Sequence, residues 1–172
     1  MAVFFLIGMM GSGKSYWAQQ LAKSNDGIYI DLDKYIENAT QKTIAAIFAE
    51  EGELAFREKE NFYLTHIQFN NNKAHYFVAV GGGAACYYNN MQWMNETGIT
   101  IFINESLPVM IERVSKQREH RPALQNKTTT ELNTFFEEKL KERLVYYSQA
   151  KHELAGSAIN KGNFLSIINQ YE

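Results

Sequence analysis

The chain has 172 residues, 45% of them hydrophobic and 21% charged, a size and balance that suit one globular domain. With 17 Lys plus Arg against 19 Asp plus Glu, the net charge of −2 gives no support for partnership with nucleic acid or an anionic membrane surface. No apolar run reaches the ~20 residues that span a bilayer.

The first apolar run, AVFFLI (2–7), lacks the basic leader and small-residue cleavage site of a secretion signal, and it reads as a buried strand. It leads directly into GMMGSGKS (8–15), the spacing G-x-x-x-x-G-K-S, and then into the helical pattern KSYWAQQLAK. Strand, glycine-rich turn and helix in that order predict a cradle for nucleotide phosphates. Gly8, Gly11 and Gly13 allow the tight turn, and the backbone from Gly11 through Ser12, Lys14 and Ser15 to Tyr16 offers its N–H groups. Lys14 is expected to reach the outer phosphates, and the Ser15 hydroxyl to bind Mg²⁺.

GIYID (27–31) is the second strand. It ends in Asp31, with Asp33 two residues on, and both carboxylates project one way if the strand continues that far. A P-loop protein needs an acid to hold the metal's water shell. Asp31 is assigned to Mg²⁺ and Asp33 to an acceptor hydroxyl; the competing reading is that one of them caps the following helix, KYIENA. Helical patterns then cover TIAAIFAEE and GELAFREKENFYLTHIQF, with Gly52 marking a break. Arginine is scarce, with Arg57, Arg113, Arg118, Arg121 and Arg143 the full set. Arg57 lies near Phe48 and Phe56 and suits bidentate capture of a carboxylate or phosphate, oriented by Glu60 three residues on. A plain surface ion pair is the alternative.

HYFVAV (75–80) is the third strand, and it runs into Gly81, Gly82 and Gly83. Three glycines at the carboxyl edge of a sheet let a ligand meet bare backbone; a flexible turn is the competing explanation. Cys86, the single cysteine, is expected to be packed rather than reactive, and it points to a reducing cytoplasm. GITIFIN (98–104) is a fourth strand, followed by a helix over SLPVMIERVSKQ with Ser106 as N-cap and Pro108 in the first turn. The polar stretch REHRPALQNKTTT (118–130) has no periodicity and reads as a lid loop. A long helix over TELNTFFEEKLKERLVYYSQA and a short one over NFLSIINQY complete the chain. Alternation of continuous apolar strands with helices predicts a parallel sheet covered on both faces.

Taken together, GMMGSGKS, DLD, IFAEEGELAFR, GGGA, RPAL and ERLVYYSQA stand in the order and approximate spacing seen in shikimate kinases, and the chain resembles that family from residue 3 to about 150. The resemblance implies an α/β three-layer sandwich of the P-loop, nucleoside-monophosphate-kinase-like type, with about five parallel strands. It implies one kinase domain over 1–172, a substrate-binding helical segment over about 33–62 and a mobile lid over about 116–130. The reaction it implies is ATP- and Mg²⁺-dependent phosphorylation of the 3-hydroxyl of shikimate by a cytoplasmic monomer. Lys14, Asp33 and Arg121 are the implied catalytic groups. Arg57 and Arg143 would clamp the substrate carboxylate beside Gly81, Gly82 and Gly83, and Ile44, Phe48 and Phe56 would form an apolar wall. Arg113, Arg118 and Asn160 are the expected groups around the nucleotide base.

The chain departs from the family in the lid, where Ala123 replaces a leucine, and in INKGN (159–163), where an arginine is usual. His120, beside Arg121, is expected to be a solvated loop residue. Two other readings stay open: a kinase of the same fold acting on another polyol acid such as gluconate, and a nucleotide-binding module without catalysis.

Overall fold

A computed structural model describes residues 1–71, 74–116 and 127–171. Five strands, β1 (Val3–Ile7), β2 (Ile28–Asp31), β3 (Tyr76–Ala79), β4 (Ile99–Asn104) and β5 (His152–Ala155), form one sheet in the order β2-β3-β1-β4-β5. Every pairing is parallel. The helices are α1 (Lys14–Ser24), α2 (Leu32–Thr40), α3 (Ile44–Thr65), α4 (Asn90–Thr97), α5 (Leu107–Ser115), α6 (Thr129–Tyr147) and α7 (Lys161–Ile168). None of the described helices is long and apolar enough to cross a membrane.

The strands read as unbroken apolar runs because both faces are covered. Val3, Phe5 and Ile7 point into a core shared with α2 to α6, while Phe4 and Leu6 point into a second core shared with α1 and α7. Phe4, Phe5, Phe77 and Phe102 are almost wholly buried, each worth about 1.5–3 kcal/mol on area grounds. The chain leaves β1 toward β2 on one side and later places β4 on the other, so β1 marks the point where strand order reverses. In open α/β sheets the crevice at that point, at the carboxyl ends of the strands, is where ligands bind.

Two elements escape the sequence reading. α4 is a polar eight-residue helix whose N-cap, Asn89, has a left-handed φ of 57° and makes no side-chain cap bond. β5 is four residues long and half polar. The break expected at Gly52 is present: α3 is interrupted there by a non-helical φ of 87° and ψ of 171°. β2, by contrast, ends at Asp31, so Asp33 lies in the first turn of α2 rather than on a continuing strand.

Candidate active site

The turn after β1 needs its glycines for two separate reasons. Gly8, Gly11 and Gly13 all have positive φ, and a Cβ on Gly8 or Gly11 would stand 2.7 Å from the carbonyl oxygen of Ile103 or Met110. The loop therefore lies pressed onto the end of β4 and onto α5. Lys14 opens α1 and is 8% exposed, its ammonium donating to the carbonyls of Gly8 and Met9 at 2.9 and 2.8 Å. Ser12 is buried within the turn: its N–H donates to Met9, and its hydroxyl has no hydrogen-bond partner among the described residues. Arg113 reaches back from α5 to donate to the Gly11 carbonyl at 3.0 Å and to pair with Glu105 at 3.2 Å.

Beside the cradle, the Ser15 hydroxyl donates to Asp31 Oδ2 at 2.8 Å. Asp31 also caps α2, accepting from the Lys34 N–H at 3.3 Å. The capping role thus falls to Asp31 and not to Asp33. Tyr29 donates to Asp31 Oδ2 at 3.1 Å, and burial followed by the Asp31 charge pushes its hydroxyl up to about 12. One hydroxyl and one carboxylate at the mouth of a phosphate cradle are hard oxygen donors, a set that fits Mg²⁺.

Across the crevice lies a second group of charges. Arg57 and Glu60 share one face of α3, pair at 2.7 Å and are 7% and 0% exposed, which excludes a surface ion pair. Glu53 adds a second carboxylate at 3.2 Å, and the guanidinium lies over the rings of Phe56 and Tyr87. Burial pushes the Glu60 carboxyl up to about 7; Arg57 opposes that shift and the Asp33 charge adds to it. Glu60 Oε1 has no hydrogen-bond partner among the described residues.

The glycine triplet is where these groups meet. A Cβ on Gly83 would stand 2.5 Å from Arg57 Nη2, one on Gly81 2.5 Å from Glu60 Oε1, and one on Gly82 3.2 Å from Arg143 Nη1. Bare backbone here admits the protein's own charged side chains as well as any ligand, so the turn is packed and not slack. Tyr147, in the last turn of α6, donates its hydroxyl to the Gly82 carbonyl and lies against Met9. Arg143, one turn earlier, approaches the sulfur of the same Met9 at 3.7 Å. Asn90 ties the turn to α3, donating to Ala84 at 2.9 Å and accepting from Asn61 at 2.7 Å.

A cavity of about 580 Å³ runs from the cradle to Asp33 and the glycine turn; Arg57, Glu60, Gly83 and Arg143 are not among its lining residues. Gly11, Gly13, Lys14, Ser15, Tyr16 and Asp31 line it on the cradle side; Asp33, Gly81 and Gly82 line it toward the Arg57–Glu60 pair. Trp17, Glu105, Arg113 and Ile159 also contribute to the wall. Asn160 is not among the lining residues; its side chain caps α7 by accepting from the Asn163 N–H. Phe48 and Phe56 stack at 4.6 Å between ring centres, and Ile44 packs against the same core. Arg118 and Arg121 lie outside the described residues.

The model of the shikimate kinase family matches residues 10–171. The chain belongs to the shikimate kinase family. It is 39% identical over 153 residues to the shikimate kinase of Bacteroides thetaiotaomicron, covering 88% of this chain and 85% of that one. The Parabacteroides distasonis shikimate kinase is 37% identical over 147 residues, covering 85% and 83%. The crystal structure of the B. thetaiotaomicron enzyme matches this fold with a TM-score of 0.83 at 32% identity, covering 99% and 96% of the two chains. An Acinetobacter baumannii shikimate kinase, solved in complex with shikimate, matches with a TM-score of 0.84 at 27% identity, covering 100% and 95%. The strand order and layers described above are therefore those of the P-loop, nucleoside-monophosphate-kinase-like fold of these kinases.

Tyr29, Trp17, Asn90 and Tyr147 were invisible as site residues in the sequence. Aromatic residues in apolar runs read as core, and only the hydroxyl bonds of Tyr29 and Tyr147 set them apart. Glu105 carried a usable signal, an acid placed directly after a predicted strand at the ligand-binding edge.

Proposed function

We propose that this protein transfers the γ-phosphoryl group of ATP to the 3-hydroxyl of shikimate, giving shikimate 3-phosphate. The observation that carries the reading is the cavity running from Lys14 to Asp33, Gly81 and Gly82, with the Arg57 and Arg143 guanidinium groups against the same glycine turn. A triphosphate tail on the cradle and a ring acid against the glycine turn face each other across it, which is what in-line transfer requires.

Asp33, in the first turn of α2 and on the cavity wall, accepts the proton of the attacking hydroxyl. Arg57 and Arg143 hold the substrate carboxylate, with Gly82 contributing backbone and Ile44, Phe48 and Phe56 an apolar wall. Glu60 keeps the Arg57 fork aimed. Lys14 and the lid residue Arg121 neutralise charge on the transferring group. Ser15 and, through water, Asp31 would hold Mg²⁺, which would supply charge neutralisation at the outer phosphates. Arg113 and Ile159 flank the base and Asn160 supports that wall by capping α7; Arg118, assigned to the base by the family resemblance, is outside the described residues. The segment over about 33–62 holds the substrate, within one domain that acts as a monomer in the cytoplasm; most of the lid assigned to about 116–130 is outside the described residues.

A coupled assay of ADP release with ATP and Mg²⁺ tests the reading. Turnover is expected with shikimate and not with gluconate. Turnover with gluconate instead transfers the site to another polyol acid, and none with either leaves a nucleotide-binding module.

A further inference from the structure

The Asp31 carboxylate at the end of β2 accepts three hydrogen bonds. Asp31 Oδ2 accepts from two hydroxyls, Ser15 at 2.8 Å and Tyr29 at 3.1 Å, while Oδ1 takes the Lys34 N–H at 3.3 Å. Tyr29 and Asp31 are two residues apart on a strand, so their side chains share a face of the sheet. That face is the one α1 covers, and Ser15 stands in the first turn of α1.

β2 is an edge strand with β3 as its only neighbour in the sheet. Asp31 is registered opposite Ala79, too small to brace a carboxylate from the β3 side. Rotation of the carboxylate is therefore limited by what its own oxygens bind. A serine hydroxyl has one proton and two lone pairs. When its proton is fixed on Asp31 Oδ2, its lone pairs are left free to face the cradle, and any rotation of Asp31 carries that proton with it. The Tyr29 ring is half-buried against the α1-side core, which gives its hydroxyl a fixed origin.

We infer that Tyr29 is a positioning residue for the divalent cation of the nucleotide, its hydroxyl tethering the Asp31 carboxylate so that Ser15 presents its lone pairs to the metal. The inference rests on the assignment of Asp31 and Ser15 to Mg²⁺ made above. Tyr29 does not touch the cation or the reacting atoms; it acts through Asp31. A tyrosine here that only filled core would need no hydroxyl, and Phe would serve as well.

Tyr29→Phe removes the hydroxyl and keeps the ring, and its melting temperature is expected to stay near that of the unsubstituted protein. The measurement is calorimetric titration of ATP across a series of MgCl₂ concentrations, beginning with none, alongside turnover over the same series. Metal-free ATP affinity is expected to change by less than about twofold, and the Mg²⁺ concentration giving half its effect to rise on the order of tenfold, as for other groups that orient metal ligands. Turnover recovers at high Mg²⁺, and the KM for shikimate is unchanged. A Tyr29→Phe protein with an unaltered Mg²⁺ midpoint overturns the tether, and Asp31→Asn in the same titration locates the failure. If Asp31→Asn shifts the midpoint and Tyr29→Phe does not, the tether alone is wrong. If neither shifts it, the assignment of Asp31 to the metal falls, and the tether with it.

Discussion

The two sides of the crevice are built by opposite means. The cradle is local: eight consecutive residues supply the turn, the lysine and the serine, and its internal bonds run between neighbours such as Lys14 and the Gly8 and Met9 carbonyls. The opposite side is assembled from four segments, with Asp33 on α2, Arg57 and Glu60 on α3, the glycines after β3 and Arg143 on α6. Backbone geometry makes the first, and packing between side chains makes the second. A substitution at the cradle should therefore damage nucleotide binding, while one across the crevice should spare it and damage handling of the acceptor.

The sharpest way to break that contrast is Asp33→Asn. It is expected to lower turnover on the order of 10³-fold or more, within the range for loss of a general base, while calorimetry shows ATP binding largely intact. A collapse of ATP affinity instead would move Asp33 to the nucleotide side. Arg121→Ala should cost on the order of 10³-fold in turnover if it stabilises charge as an arginine finger does, with little change in the unfolding midpoint. Near-normal turnover would remove the lid arginine from the mechanism.

Gly83→Ala asks the question more gently. Gly83 has an ordinary φ of −94°, so an alanine there meets no backbone penalty, only the Arg57 guanidinium 2.5 Å away. Displacing that fork by about an ångström is expected to cost on the order of 10²-fold in kcat/KM for shikimate. Nucleotide affinity should not follow, and a parallel loss of both would show the two sides to be one mechanical unit.

The smallest effect is one of pH. The Glu60 carboxyl sits at about 7 against an ordinary 4.5. Between those values the folded protein keeps a proton that the unfolded chain has released, so the stabilising contribution is full below about 4.5 and is lost as pH rises through 7. The loss is on the order of 3 kcal/mol, a fall of up to about 10 °C in melting temperature for a chain of this size. Glu60→Gln should flatten that decline, as scanning calorimetry at pH 5 and pH 8 would show. An unchanged slope would place the titration elsewhere.

This difference in construction also governs what could be read in advance. GMMGSGKS announced itself because its chemistry and its spacing are both local. Arg57 alone was ambiguous between a ligand fork and a surface pair, since burial of Glu60 depends on Gly81 arriving from the far side of β3. The resemblance of GELAFR, GGGA and ERLVYY to a family resolved what residue patterns alone had left open. Asp31 and Asp33 share a face only if the strand continues past Asp31, a condition that fails because the Asp31 cap starts α2 at once. β5 went unseen because HELA offers two apolar residues in four, and its pairing with β4 decides its conformation.

The interruption of α3 at Gly52 has a consequence for how this enzyme tolerates change. In an unbroken helix, one inserted residue turns everything beyond it by about 100°. Here Phe48 and Arg57 stand on opposite sides of a non-helical joint. Across that joint the two halves are held by the Phe48–Phe56 stack rather than by a continuous helix, so a lengthened or shortened first half would unseat Phe48 without having to swing the fork out of register.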